Sequence, residues 1–151
     1  MKNNFFIQLF IYLLLSSSMS SAETFKFETS NIEIVKNGEL IYANKGKAIS
    51  SDNNLEVQAE KFEYIRNIDL LNAFNNGLAL IKSENLKIEF DEMRIDQKNS
   101  MIKANGNIKV YQEEKKILIE TSSIIYDQKN NILSSSTKSV LTDSHNNIFN
   151  V

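Results

Sequence analysis

The sequence contains no cysteine, no proline and no tryptophan, and only 4 of its 151 residues are glycine. The absence of cysteine excludes disulfide bonds, thiol nucleophiles and cysteine-ligated zinc or iron–sulfur sites. The lone histidine, His145, lies in a polar segment typical of a turn, without the glycine-rich elbow that a catalytic serine needs. Adjacent carboxylates such as Asp91 and Glu92 point to opposite faces of a strand, so they form no general acid/base pair.

The chain also lacks the spacing of a phosphate-binding loop, a dinucleotide fingerprint or a calcium loop. We therefore expect a protein that is not an enzyme and that holds no metal ion and no cofactor. The formal net charge is −2, and lysine and glutamate alternate along the chain without forming basic blocks. This pattern argues against nucleic acid as a partner.

The N-terminal segment has the composition of a secretory signal. Lys2 precedes an apolar run over residues 5–15, which is too short to span a bilayer, and a serine-rich stretch ends it. Small residues at Ser20 and Ala22 suit cleavage before Glu23, so residues 1–22 are predicted to be a signal peptide. An uncleaved anchor is the alternative. Residues 23–151 are then expected to form one domain in the periplasm or outside the cell.

Alternation of apolar and polar residues recurs in short runs through the rest of the chain. Leu55–Ala59 is followed by Phe62–Tyr64, and Leu86–Phe90 is followed in the same way by Met93–Ile95. A period of two predicts β-strands with one buried face, separated here by turns rich in asparagine and aspartate. The fold class is therefore all-β, and each pair of runs is either one bent strand or two strands with a corner.

An internal repeat of about 30 residues connects these runs. Gly46, Gly77 and Gly106 are separated by 31 and 29 residues, and Ser136 follows after 30 more. This scale is typical of a β-solenoid or a jellyroll, in which each unit buries its apolar face against the next.

Several of these segments resemble a known family. They are Gly46-Lys47-Ala48, the run Leu55–Tyr64, Ala104-Asn105-Gly106-Asn107-Ile108, Tyr126-Asp127 and Thr137–Asp143. Together they resemble the OstA-like domain of lipopolysaccharide transport proteins, which occurs in LptA and at the N-terminus of LptD. The resemblance implies a twisted, partly open antiparallel β-jellyroll that holds the acyl chains of lipopolysaccharide. It also implies that such domains join end to end by edge-strand addition.

Two partners are expected on this basis, lipopolysaccharide and other OstA-like domains. The expected location is the periplasm, with outer-membrane association if the chain is part of a longer LptD-like protein. Alternation restarts at Ile148–Val151, which predicts either an edge strand or the beginning of a further unit.

An apolar groove between the sheets would shelter acyl chains from water at about 25 cal/mol per Å² of apolar surface. The competing interpretation is a secreted structural or adhesive β-solenoid or sandwich with a closed core and no lipid ligand. Small side chains at Ala59, Ala73, Ala79 and Ala104 would leave room for a guest, whereas interdigitated large side chains would not. The predicted lipid-binding residues, which all alternate toward the interior, are Leu55, Val57, Phe62, Tyr64, Ile88, Phe90, Ile95, Ile108, Val110, Ile117, Ile119 and Ile124.

Overall fold

The computed structural model describes residues 24–151, so the predicted signal peptide at residues 1–22 lies outside the described part. Ten antiparallel strands form a single open sheet. Their bounds are β1 (Phe25–Val35), β2 (Leu40–Ser50), β3 (Leu55–Ile65), β4 (Leu70–Ile81), β5 (Leu86–Asp96), β6 (Met101–Gln112), β7 (Ile117–Asp127), β8 (Ile132–Ser134), β9 (Val140–Thr142) and β10 (Ile148–Asn150). The predicted all-β class and the open antiparallel jellyroll are confirmed.

The strands follow one another across the sheet in chain order. β1 to β7 pair consecutively, β9 and β10 continue the order, and β8 pairs beside β9 on the outer edge of β7. Within residues 24–151 the helical segments are three single 3-10 turns, Lys36–Gly38, Arg66–Ile68 and Lys82–Glu84. In that range we find no helix with the length and apolar character to cross a bilayer.

The central strands carry a β-bulge near their middle. The pairing register shifts between Gln58 and Lys61 in β3 and between Phe74 and Gly77 in β4, and β5 to β7 show the same interruption. An extra residue at a bulge reverses the alternation, so apolar side chains on both sides of it face inward. The paired runs of the sequence are therefore single bent strands.

The bend folds the sheet back on itself into two layers. The first layer contains the strand halves around Leu55 and Ile88, and the second layer contains the halves around Tyr64 and Ile95. Rings from opposite layers meet: Phe25 lies 5.6 Å from Tyr64 between ring centroids, edge to face. The hydrophobic core lies between the layers and extends from β1 to the second-layer half of β7.

From β3 onward the repeat has a regular period of 31 residues, whereas β1 and β2 begin 30 residues before β3 and β4. Leu55, Leu86, Ile117 and Ile148 begin β3, β5, β7 and β10, and consecutive members are 31 residues apart. The turns keep the same period, because Asp69, Ser100 and Asn131 all have left-handed backbones, with φ of 55°, 56° and 54°.

Two of the glycines that suggested the repeat occupy different places in the unit. Gly106 has φ of 76° and lies within a bulge, where a left-handed residue is needed. Gly77 follows the bulge in β4, and a Cβ added there would overlap the ring of Phe90. The position equivalent to Gly77 in the next unit is Ile108, so the spacings of 29 and 30 residues are replaced by 31.

A buried tyrosine fixes the turn of each of two units. The Tyr64 hydroxyl donates to Asp69 Oδ1 at 2.7 Å, and Thr24 Oγ1 donates to Asp69 Oδ2 at 3.1 Å. In the last unit the Tyr126 hydroxyl donates to Asn131 Oδ1 at 2.9 Å. Burial, with the Asp69 carboxylate as second cause, raises the pKa of Tyr64 to about 12.

Candidate functional site

The predicted inward residues all face the space between the layers, but they differ in packing. Ten of the twelve are at most 3% exposed and belong to the core. Ala59, Ala73, Ala79 and Ala104 are buried as well, at 8% exposure or less. The small side chains are thus buried as the large ones are, and both belong to one continuous core under β1 to β6. Ile117 and Ile119 are only partly buried.

An apolar groove lies where the first layer reaches β7 and β9. Its larger part has a volume of about 270 Å³. Glu84, Gln112, Lys115 and Asn131 form its polar rim. The apolar side chains along its walls are Leu86, Val110, Ile117, Ile119, Tyr126, Leu133 and Leu141.

A second cavity of about 210 Å³ continues the first, because Ile119, Leu133 and Leu141 line both. Ile124 and Val151 add apolar surface to it, and the remaining wall consists of hydroxyl-bearing residues, Ser134, Ser135, Thr137 and Ser139. We refer to the two connected cavities as the C-terminal groove.

The groove opens where the repeat is interrupted. Leu133 of β8 and Leu141 of β9 lie 31 residues after Ile102 and Val110, which belong to the two halves of the continuous strand β6. The last unit therefore has two three-residue strands where the earlier units have one long strand. Because only these short strands pair with β7 on this side, the apolar side chains of β7 remain accessible.

Side-chain hydroxyls replace backbone pairing across the interruption. Thr121 Oγ1 lies 3.0 Å from Ser135 Oγ and 2.8 Å from Thr137 Oγ1. Ser139 Oγ donates to Thr121 Oγ1 at 3.1 Å, and the linker between β8 and β9 is otherwise mostly exposed. Between β8 and β9 the wall of the groove is held by these hydroxyl contacts and by the backbone hydrogen bonds that Ser139 and Val151 exchange.

A hydrogen-bonded chain crosses the rim of the groove. Asn131 Nδ2 donates to Glu84 Oε2 at 2.7 Å, and Asn131 also accepts from Tyr126. Gln112 Nε2 donates to the Glu84 carbonyl oxygen at 3.2 Å. Burial raises the pKa of Tyr126, and the Glu84 carboxylate adds to the effect, so the phenol stays protonated as a donor.

The outermost strands present free edges. Among the described strands β1 pairs with β2 alone, and its Ile32 and Ile34 are 54% and 59% exposed. At the opposite end β10 pairs with β9, and its Ile148 and Phe149 are also exposed. An unpaired strand with exposed apolar side chains is suited to pairing with another chain.

His145 lies in the turn between β9 and β10. Its backbone N–H donates to Asp143 Oδ1 at 2.8 Å, and its ring Nδ1 lies 3.3 Å from Ser144 Oγ. Across residues 24–151 we find no group of three or more histidine, aspartate or glutamate side chains arranged to hold a metal ion.

The twelve predicted residues omitted part of the groove wall. Four of them line it, namely Val110, Ile117, Ile119 and Ile124, and the others pack in the core. Leu86, Leu133 and Leu141 were not predicted. Continuing the 31-residue period from Leu55, Ile102 and Val110 would have identified them.

The architecture is that of a bent antiparallel jellyroll, formed by one sheet in two layers and open at one end. Among solved structures, the chain is similar to the crystal structure of LptH from Pseudomonas aeruginosa, described as the LptA homologous periplasmic component of the conserved lipopolysaccharide transport device. The similarity has a TM-score of 0.63, covers 84% of this chain and 93% of that chain, and has 13% sequence identity. It confirms the predicted LptA-like fold. No family model matches the chain, and no curated protein matches it.

Proposed function

We propose that this protein is a non-enzymatic periplasmic module that shelters the acyl chains of lipopolysaccharide during transport to the outer membrane. The observation that carries the proposal is the apolar C-terminal groove, located at the open end of a sheet with the fold of LptH. An acyl chain entering the groove removes its own surface and that of the groove from water, at about 0.8 kcal/mol per methylene.

Only the predicted lipid-binding residues that line the groove are proposed to contact lipid. Val110, Ile117, Ile119 and Ile124 would contact the lipid directly, together with Leu133 and Leu141. The remaining eight predicted residues are already packed against protein and support the groove walls from the core. Lipid contact with them requires the two layers to separate.

Edge-strand addition would connect such modules into a continuous path. β1 supplies an eleven-residue edge with Ile32 and Ile34 exposed, and β10 supplies an edge at the groove end. Pairing of β1 with the groove end of another OstA-like domain would place successive grooves in line.

A structural or adhesive β-module with a closed core is the second candidate. The buried core under β1 to β6 favours it, because a module without ligand needs no accessible interior. The two candidates make different predictions for the C-terminal groove: a lipid transport module binds an acyl chain there, whereas a closed structural module binds none.

Photocrosslinking distinguishes the two candidates. A photoreactive residue is placed in turn at Ile119 and Leu133, and at the outward positions Glu89 and Lys109 as controls, in the protein secreted by a Gram-negative cell. We expect lipopolysaccharide adducts at Ile119 and Leu133 and none at the controls. Protease resistance of each variant verifies folding. Absence of adducts at both groove positions in folded protein overturns the proposal in favour of the closed module.

A further inference from the structure

A pocket of about 560 Å³ lies on the outer face of the sheet, against the turn between β6 and β7. Its floor is a row of paired residues, Lys87 on β5, Tyr111 on β6 and Leu118 on β7, all pointing away from the core. Gln112 and Ile117 line both this pocket and the C-terminal groove. The two cavities therefore meet at the turn formed by residues 113–116.

Cationic groups surround this junction. Lys115 lies on the rim of the groove, whereas Lys116 and Lys87 line the outer pocket. The Lys87 ammonium is held 5.4 Å from the centre of the Tyr111 ring and 3.3 Å from Glu89 Oε1. Among the described residues, Lys115 and Lys116 form no ion pair and remain available to an anion.

Most carboxylates near the junction are already engaged. Glu84 accepts from Asn131 and Glu114 accepts from Asn85, each at 2.7 Å.

Asp143 lines the pocket, but its carboxylate accepts from the backbone N–H groups of His145 and Asn147 at 2.8 and 2.9 Å. The Asn147 side chain also donates to it at 2.8 Å. These donors lower the pKa of Asp143, so its carboxylate stays ionised and contributes a negative charge to the pocket wall, where Lys116 and Lys87 contribute positive ones. Glu113 is the carboxylate of the pocket wall that has no side-chain partner in residues 24–151.

We propose that the outer pocket binds the phosphate of an amphiphile whose acyl chain lies in the C-terminal groove. This inference rests on the proposed function and adds to it the site of the head group. Lys87 and Lys116 make charge-assisted contacts to the phosphate, and the amphiphile bends over the turn at residues 113–116. Because one molecule occupies both cavities, its two sets of contacts add.

Calorimetric titration of the purified protein tests the proposal. The ligands are monododecyl phosphate, the uncharged dodecyl glucoside and inorganic phosphate, each used below its micelle concentration at low ionic strength. We expect the phosphate amphiphile to bind about tenfold more tightly than the glucoside, as expected for one strong charge-assisted contact. Inorganic phosphate, which has no acyl chain, should bind far more weakly than either.

Variants assign the effect to the pocket. The double variant K87Q/K116Q should bind both amphiphiles equally, with its affinity for the glucoside unchanged. K103Q, on β6 but in the second layer, is the matched control and should retain the preference. Removing the unpartnered carboxylate with E113Q should increase the affinity for monododecyl phosphate.

The outcomes separate this inference from the function on which it rests. Binding of both amphiphiles without a preference for phosphate, or an unchanged preference in K87Q/K116Q, overturns the head-group site and leaves the groove intact as a lipid site. Inorganic phosphate binding as tightly as monododecyl phosphate shows a free-anion site and also overturns the inference. If neither amphiphile binds, the proposed function fails as well.

Discussion

Equivalent residues in the middle and at the end of the same sheet are buried to different extents. Ile88 on β5 and Ile119 on β7 are 31 residues apart and face the same side of the first layer, yet Ile88 is fully buried and Ile119 is only partly covered. The difference arises from the neighbours, since β5 lies between two long strands and β7 between β6 and two short ones. A repeat therefore determines the orientation of a side chain, and the completeness of the neighbouring unit determines its burial.

Alanine substitution at these two isoleucines should give the largest difference in the free energy of unfolding. We expect Ile88→Ala to lower the free energy of unfolding by about 2 to 5 kcal/mol, because it leaves a cavity in a closed core. Ile119→Ala should cost about 1 kcal/mol, since it removes a side chain already in contact with solvent. Urea denaturation measures both. Equal losses would show that the two ends of the sheet are packed alike.

A second pair of equivalent positions is Gly77 on β4 and Ser139 beside β9, which are 62 residues apart. Gly77→Ala should lower the free energy of unfolding by about 1 to 3 kcal/mol, because its Cβ enters the space of the Phe90 ring. Ser139→Ala removes hydroxyl contacts to Thr121 and Thr137 and should cost about 1 kcal/mol or less. Thermal melting of the two variants provides the comparison, and a near-neutral Gly77→Ala would refute the close packing at β4.

The two buried tyrosines give the smallest contrast. Tyr64 donates to a carboxylate that Thr24 also contacts, whereas Tyr126 donates to the amide oxygen of Asn131. Loss of a hydrogen bond to a charged group costs more, so we expect about 1.5 kcal/mol for Tyr64→Phe and about 0.5 to 1 kcal/mol for Tyr126→Phe. Urea denaturation at neutral pH measures both values.

The raised pKa of Tyr64 predicts that the folded protein loses stability at alkaline pH. The pKa of Tyr64 is raised from a usual value of 10.0 to about 12 in the folded protein. The unfolded chain therefore releases the phenolic proton first, so this stabilisation is complete below pH 10 and is lost as the pH rises toward 12. The free energy of unfolding should fall less steeply over this interval in Tyr64→Phe than in the wild type. Parallel pH profiles would contradict the assignment.

The sequence was sufficient for the fold class and for the inward face. Alternation in Leu55–Ala59 and Phe62–Tyr64 predicts two inward runs, and the bulge between them explains why the alternation changes phase. The layering was not predictable in the same way, because alternation defines a face without stating which strand half lies opposite. Phe25 and Tyr64 meet only after the sheet has folded back.

The groove depends on an interruption that local pattern does not show. The segment from Ser134 to Ser139 is rich in hydroxyl groups and resembles any polar turn. Its position in the repeat shows that it is an interruption, because the equivalent residues one unit earlier form the bulge within the continuous strand β6. The rim chain of Tyr126, Asn131 and Glu84 joins residues up to 47 positions apart, which no short window of sequence relates.

From β3 onward the period is a constant 31 residues, so the sheet could change in length without a change of structure at its two ends. Each period adds two antiparallel strands to the same sheet. The next unit therefore begins at the same end of the strands, with its apolar side chains facing the same side. Duplication of one whole period would lengthen the sheet while leaving β1 and the C-terminal groove unchanged. An insertion of one or two residues beyond a period would instead have to be absorbed in a bulge or a turn. Growth by whole units is therefore the change in length that this architecture accepts without altering its edge or its groove.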